Sequence, residues 1–261
     1  MVHLSQINRV KETKGIYPET IRIIQGFESF TFEKEVSIFV GDNGSGKTTF
    51  IKLLATLLGI PRINPQRTED TAFLNCIDSY QAIYNLNKVS GFFFQGEEFI
   101  QYLQYLRSTL EMSYQELERI NIEYCDRSQF SINQARMPHL RTINEIKSLY
   151  AYSLTERSHG EGFLDFFKSR LRSNQIFLLD EPETPLSFNS QLTMIALIKE
   201  AVNEGSQFII ATHSPILMAY PDADIYEIVD GQFRKQKYED LEVISSLRYF
   251  LNNPSGYLKY F

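Results

Sequence analysis

The feature that most narrows what this chain can become is the octapeptide Gly41-Asp42-Asn43-Gly44-Ser45-Gly46-Lys47-Thr48. It fits G-x-x-x-x-G-K-[ST] at every position, a coincidence expected from average residue usage in roughly one chain in a hundred of this size. Its surroundings narrow it further. Glu35 to Val40 is apolar and rich in β-branched or aromatic types, which predicts a strand ending at Gly41. Lys47 to Leu58 carries apolar residues at helical spacing and is stopped by Gly59 and Pro61. A strand, a glycine-rich turn and a helix in that order predict a phosphate-binding loop. Glycines let successive N–H groups curl inward onto phosphate oxygens, and the helix start adds its positive dipole end. In such a loop Lys47 neutralises the terminal phosphates of ATP, the Thr48 hydroxyl ligates Mg²⁺, and Thr49 lies in the first helical turn.

Two more apolar runs end in chemistry-bearing residues. Ile176 to Leu179 is followed by Asp180 and Glu181, and Gln207 to Ala211 by Thr212 and His213. Continuous apolar runs suit strands buried on both faces of a parallel sheet, whose C-terminal ends meet the ligand. Asp180 is thereby the candidate second Mg²⁺ ligand, and Glu181 the group that orients the attacking water. His213 falls at the same sheet edge, where it reaches the γ-phosphate. Gly91 to Phe94 is a further short strand, and Gln95 at its end is a candidate contact to Mg²⁺ or to the lytic water.

Strands alternating with helices predict an α/β fold with a mostly parallel sheet. The 261 residues suit one domain, 1–261, with a helical insert over about 97–157, where Phe99 to Arg157 mixes charges with Leu, Ile and Tyr at helical spacing. Leu192 to Val202 reads as an amphipathic helix. Antiparallel β elements are expected too: Ile225 to Val229, Asp230-Gly231 and Phe233 to Tyr238 read as a hairpin. The tail from Tyr238 to Phe261 reads as a helix and a Pro254-containing end.

A net charge of −6 argues against a generally nucleic-acid-coating protein, although Arg127, Arg136, Arg141, Lys147 and Arg157 bias the later insert positive. Cys76 and Cys125 lack metal-ligand spacing and read as two reduced thiols. Met1 to Val10 has no apolar signal core, and no apolar run nears the roughly 20 residues that span a bilayer. The expectation is a cytoplasmic protein that does not itself insert into membranes.

The order of these pieces resembles the ATP-binding-cassette superfamily, with Walker A at Gly41 to Thr48, Walker B at Ile176 to Glu181 and a switch histidine at His213. That family has a signature motif, usually L-S-G-G-Q, between its helical region and Walker B. The matching segment is Ser158-His159-Gly160-Glu161-Gly162, 22 residues before Asp180, with His159 replacing the first Gly and Glu161 replacing Gln. The resemblance implies that Ser158, Gly160 and Glu161 bind the γ-phosphate of a second subunit's ATP, making ATP the glue of a twofold homodimer. It also suggests Tyr17 as an aromatic ring for adenine.

Glu161, Ser187 at the end of the loop after Walker B, and Ser214-Pro215 after His213 resemble repair and chromosome-maintenance ATPases more than transporter subunits. The chain is most similar to small stand-alone bacterial AAA-type ATPases, through FVGDNGSGKTT, GFFF, SHGEGF, LLDEPE, GSQFIIATHSPIL and FLNNPSGYL. Members of that group usually carry Arg where Gln95 stands. Three functions follow as alternatives: a soluble ATP-gated dimer, the nucleotide-binding subunit of a membrane transporter, or an ATP-gated DNA-binding or effector-binding protein in repair or phage defence.

Overall fold

A computed structural model describes residues 2–12, 15–63, 71–86, 88–149 and 159–259. In chain order the elements are β1 (Leu4–Arg9), α1 (Arg22–Gly26), β2 (Ser29–Thr31), β3 (Val36–Val40), α2 (Lys47–Leu58), α3 (Thr71–Leu74), β4 (Tyr80–Tyr84), β5 (Gly91–Gln95) and α4 (Gly96–Glu123). There follow α5 (Gln129–Leu149), α6 (His159–Arg170), β6 (Ile176–Asp180), α7 (Phe188–Asn203), β7 (Gln207–Ala211), α8 (Pro215–Met218), β8 (Asp224–Val229), β9 (Gln232–Gln236), α9 (Glu242–Asn252) and α10 (Pro254–Leu258).

The strands form a six-stranded sheet in the order β5-β6-β7-β3-β8-β9 and a three-stranded sheet in the order β2-β1-β4. The first five strands of the large sheet are parallel, and β9 pairs antiparallel with β8. The hairpin turn is Asp230-Gly231, both at positive φ (51° and 76°), as a tight turn between twisted strands requires.

Side chains alternate across the pleat and so divide between two cores. Ile38, Val40, Phe177, Leu179, Phe208 and Ile210 face one core, with the root of α4 and the buried faces of α6 and α7. Phe39, Ile176, Leu178 and Ile209 face the other, with α2 and the small antiparallel sheet. The large sheet is therefore covered on both sides, which is why its central strands read as unbroken apolar runs. Beyond β5, Pro61 and Ile63 bond the main chain of Phe93 and cover that edge.

Within the span expected as an insert, 97–157, the described chain forms α4 and α5, and α4 starts at Gly96 directly after β5. Its end, 150–157, lies outside the described residues. The predicted helix at Leu192 starts earlier, at Phe188, because Ser187 caps it by accepting from the Ser190 N–H. Cys76 is buried and Cys125 exposed, and neither is in a disulfide. Among the described residues no helix is long and apolar enough to cross a membrane.

Candidate nucleotide-binding site

The register of the parallel sheet assembles the site. Gln95, Asp180 and Ala211 are level on three neighbouring strands, and Ala211 is level with Phe39 on the fourth. The residues that follow each strand, Gly41 to Gly46, Glu181 and Thr212-His213, therefore emerge along one edge.

The loop from Gly41 to Gly46 joins β3 to α2 and is pinned by a Ser45 N–H to Asp42 carbonyl bond of 3.1 Å. Gly46 precedes the helix at φ 100°, and a Cβ there would lie 2.5 Å from Ile23 Cγ2, so both conformation and space demand glycine. Lys47 is buried, and its Nζ donates to the carbonyls of Gly41 (2.7 Å) and Asp42 (3.0 Å). Burial pushes the Lys47 ammonium below its ordinary pKa, while the charges of Glu181, Asp180, Asp42 and Glu183 pull it back up. Asp42, Asn43 and Gly44 are exposed, Thr49 is half-buried, and the Ser45 hydroxyl is a buried group with no partner among the described residues.

Thr48 Oγ1 donates to Asp180 Oδ1 at 3.1 Å. Burial raises the Asp180 carboxyl to about 7; the Thr48 bond lowers it, and the nearby Glu181 charge raises it further. A buried carboxylate beside a hydroxyl, at a phosphate loop, fits Mg²⁺: Thr48 and Asp180 would hold the ion, whose charge would favour the ionised carboxylate that burial disfavours.

Glu181 sits at φ 47°, a left-handed conformation that costs a non-glycine residue about 1–3 kcal/mol. Its N–H donates to the Ala211 carbonyl at 2.8 Å, and its Oε1 lies 3.6 Å from His213 Nε2. Gln95 Oε1 is buried with no partner among the described residues, as a side chain held for a ligand would be. Two residues that the sequence reading missed brace this edge. Gly96 lets the α4 start approach the Glu181 carbonyl so closely that a Cβ would lie 2.1 Å from it. Glu183 Oε1 accepts from the N–H groups of His213 (2.7 Å) and Ser214 (3.1 Å).

A cavity of about 930 Å³ runs from the loop past His213 to the β8–β9 turn and the start of α9. Tyr17, expected against the adenine, does not line it. Its ring packs edge-on to Phe73 at 5.7 Å, and the lining residues of that segment are Thr20, Ile21 and Arg22. Gly160 and Glu161 lie in the first turn of α6, and Ser158 lies outside the described residues.

The family profile described as ABC transporter matches residues 28–184, more than half of the chain. The chain belongs to the ABC transporter family. An ABC transporter ATP-binding protein of Pyrococcus furiosus is 23% identical over 256 residues, covering 91% of this chain and 92% of that protein. The macrolide export ATP-binding/permease protein MacB of Escherichia coli (strain K12) is 22% identical over 268 residues, covering 98% of this chain. The chain spans 39% of that protein's length. A solved ATP-binding cassette of an ABC transporter in its ADP conformation has a TM-score of 0.48 at 18% identity, covering 95% of this chain and 96% of that one. This ABC ATPase hydrolyses ATP and uses Mg²⁺-ATP.

Proposed function

We propose that this ABC ATPase works as a soluble, cytoplasmic, ATP-gated homodimer. Each Mg²⁺-ATP lies on Gly41 to Thr49 of one copy and is covered by Ser158, Gly160 and Glu161 of the other. Thr48 and Asp180 hold the ion, with Gln95 beside it; Glu181 orients the water and His213 contacts the γ-phosphate. The observation that carries this reading is the common edge: Thr48 bonds Asp180, Glu181 lies 3.6 Å from His213, and the charges of both carboxylates reach Lys47. The second copy rests on the resemblance of Ser158 to Gly162 to the family's signature motif, which in that family serves the other subunit's ATP.

Mg²⁺ held by Thr48 and Asp180 would supply positive charge that offsets the negative charge developing on the phosphate oxygens. The chain's own groups do the rest. Lys47 and the loop amides fix the phosphate tail, and Glu181 and His213 border the attack site from two different strands.

Glu181, replaced by Gln, keeps the shape and loses the base. With ATP and Mg²⁺ the Glu181→Gln protein is expected to elute as a dimer and the nucleotide-free protein as a monomer; a monomer at saturating ATP overturns the reading. Running the same column with duplex DNA separates the finer alternatives. ATP-dependent, salt-sensitive DNA retention supports the repair or phage-defence branch to which Glu161, Ser187 and Ser214 point. The second reading, a transporter subunit, is favoured by the P. furiosus relative that the chain matches over nearly its full length. Co-purification with an integral-membrane partner would establish it.

A further inference from the structure

We infer that Glu183 is a positioning residue for ATP hydrolysis, setting the loop of His213 against the loop of Glu181. This rests on the roles of Glu181 and His213 given above. Glu183 lies two residues beyond Glu181 in the turn after β6, and His213 lies two residues beyond β7. The Glu183 carboxylate spans the gap and takes two backbone N–H bonds on one oxygen, from His213 at 2.7 Å and Ser214 at 3.1 Å. Such charge-assisted bonds are about twice as strong as neutral ones.

The two bonds differ in what they hold. Ser214 N–H also donates to Thr212 Oγ1 at 2.9 Å, and the Ser214 hydroxyl donates to Gln191 Oε1, so Ser214 has other anchors. The His213 N–H has Glu183 as its acceptor. The Glu183 turn is itself closed by Thr184 N–H to Glu181 carbonyl (3.2 Å) and Leu186 N–H to Glu183 carbonyl (2.8 Å). Both are backbone bonds, so loss of the Glu183 carboxylate leaves the turn, and Glu181 with it, in place. With its backbone fixed by another group, the His213 ring is left to face Glu181 Oε1 at 3.6 Å and the cavity beyond. The Glu183 charge also reaches Lys47, which places it within the field of the phosphate site.

Glu183 Oε2 is buried with no partner among the described residues, so an amide nitrogen can replace it without breaking a bond. That makes three substitutions informative. Glu183→Gln keeps reach and acceptor but drops the charge. Glu183→Asp keeps the charge but withdraws the oxygens by one methylene. Glu183→Ala removes the tie.

The test is steady-state ATP hydrolysis by these variants, with His213 intact and in a His213→Ala background. Positioning predicts that Glu183→Ala lowers kcat about tenfold with KM for ATP within about twofold, and that Glu183→Gln rescues most of the loss and outruns Glu183→Asp. In the His213→Ala background, Glu183→Ala should change kcat by less than about twofold, since the two act as one unit. An equal loss in both backgrounds, or Asp faster than Gln, overturns the assignment. The order of Asp and Gln decides the matter even if the Ala variant does not fold. Turnover of the parent in the same assay tests the ATPase reading separately, and its absence would remove both.

Discussion

The root and the tip of the helical insert are built on opposite terms. At the root, Phe99, Tyr102, Leu103 and Leu106 of α4 are buried in the core shared with β5, β6 and α6. At the far end, Ile122 is 74% exposed and Phe130 73% exposed, and the charged side chains pair within their own helices, as Arg119 does with Glu116 and Glu123, and Arg141 with Glu145. The root follows directly on Gln95, and its first residue touches the carbonyl of Glu181. The difference teaches that the insert is held by the domain core where it meets the chemistry, and beyond that by α4 packing on α5 through residues such as Leu117, Ile120 and Ile143, with Ile122 and Phe130 left to solvent.

Substitutions sharpen or break this contrast. The largest effect belongs to the edge itself. Glu181→Gln should lower kcat by about 10²–10⁴ while nucleotide still binds, measured by phosphate release and equilibrium binding. Next is the packing behind the root. Phe163 on α6 is fully buried against Phe94, Phe99 and Phe167. Phe163→Ala should cost about 3–5 kcal/mol in urea unfolding. Leu103→Ala, at the root itself, belongs at about 2–4 kcal/mol by the same measurement. Smallest is the tip: Ile122→Ser should change stability by no more than about 0.5 kcal/mol. A substitution at Ile122 as damaging as Leu103→Ala would show that this exposed face is packed like the root, and the contrast would fail.

The parts of the molecule that were legible in the sequence are those where a local pattern and a chemical motif coincide. The Lys47–Leu58 helix and the buried strands before Gly41, Asp180 and Thr212 are of this kind, because burial on both faces writes an unbroken apolar run. The small sheet was not readable. β1 buries Leu4 and Ile7 alone, three residues apart rather than two, with a register shift between Leu4 and Gln6, and its partner β4 lies more than 70 residues away. Gly96 and Glu183 were missed for another reason: their work is contact with residues distant in sequence, and nothing in their neighbours announces it. Tyr17 looked plausible because it is aromatic and lies upstream of the loop, yet Phe73 takes its ring and Thr20 to Arg22 take the cavity wall. The excess of Arg in the later insert is partly spent locally, since Arg141 pairs with Glu145 and Lys147 lies over the Tyr114 ring.

The central claim is that a buried ammonium and a ring of loop amides hold a triphosphate at this sheet edge. Equilibrium binding of a fluorescent ATP analogue to the parent and to Lys47→Ala, with Mg²⁺ present, tests it most directly. The account predicts affinity weakened at least about tenfold, since the side chain contributes a charge-assisted contact to a polyanion. Equal affinity of the two proteins would contradict it.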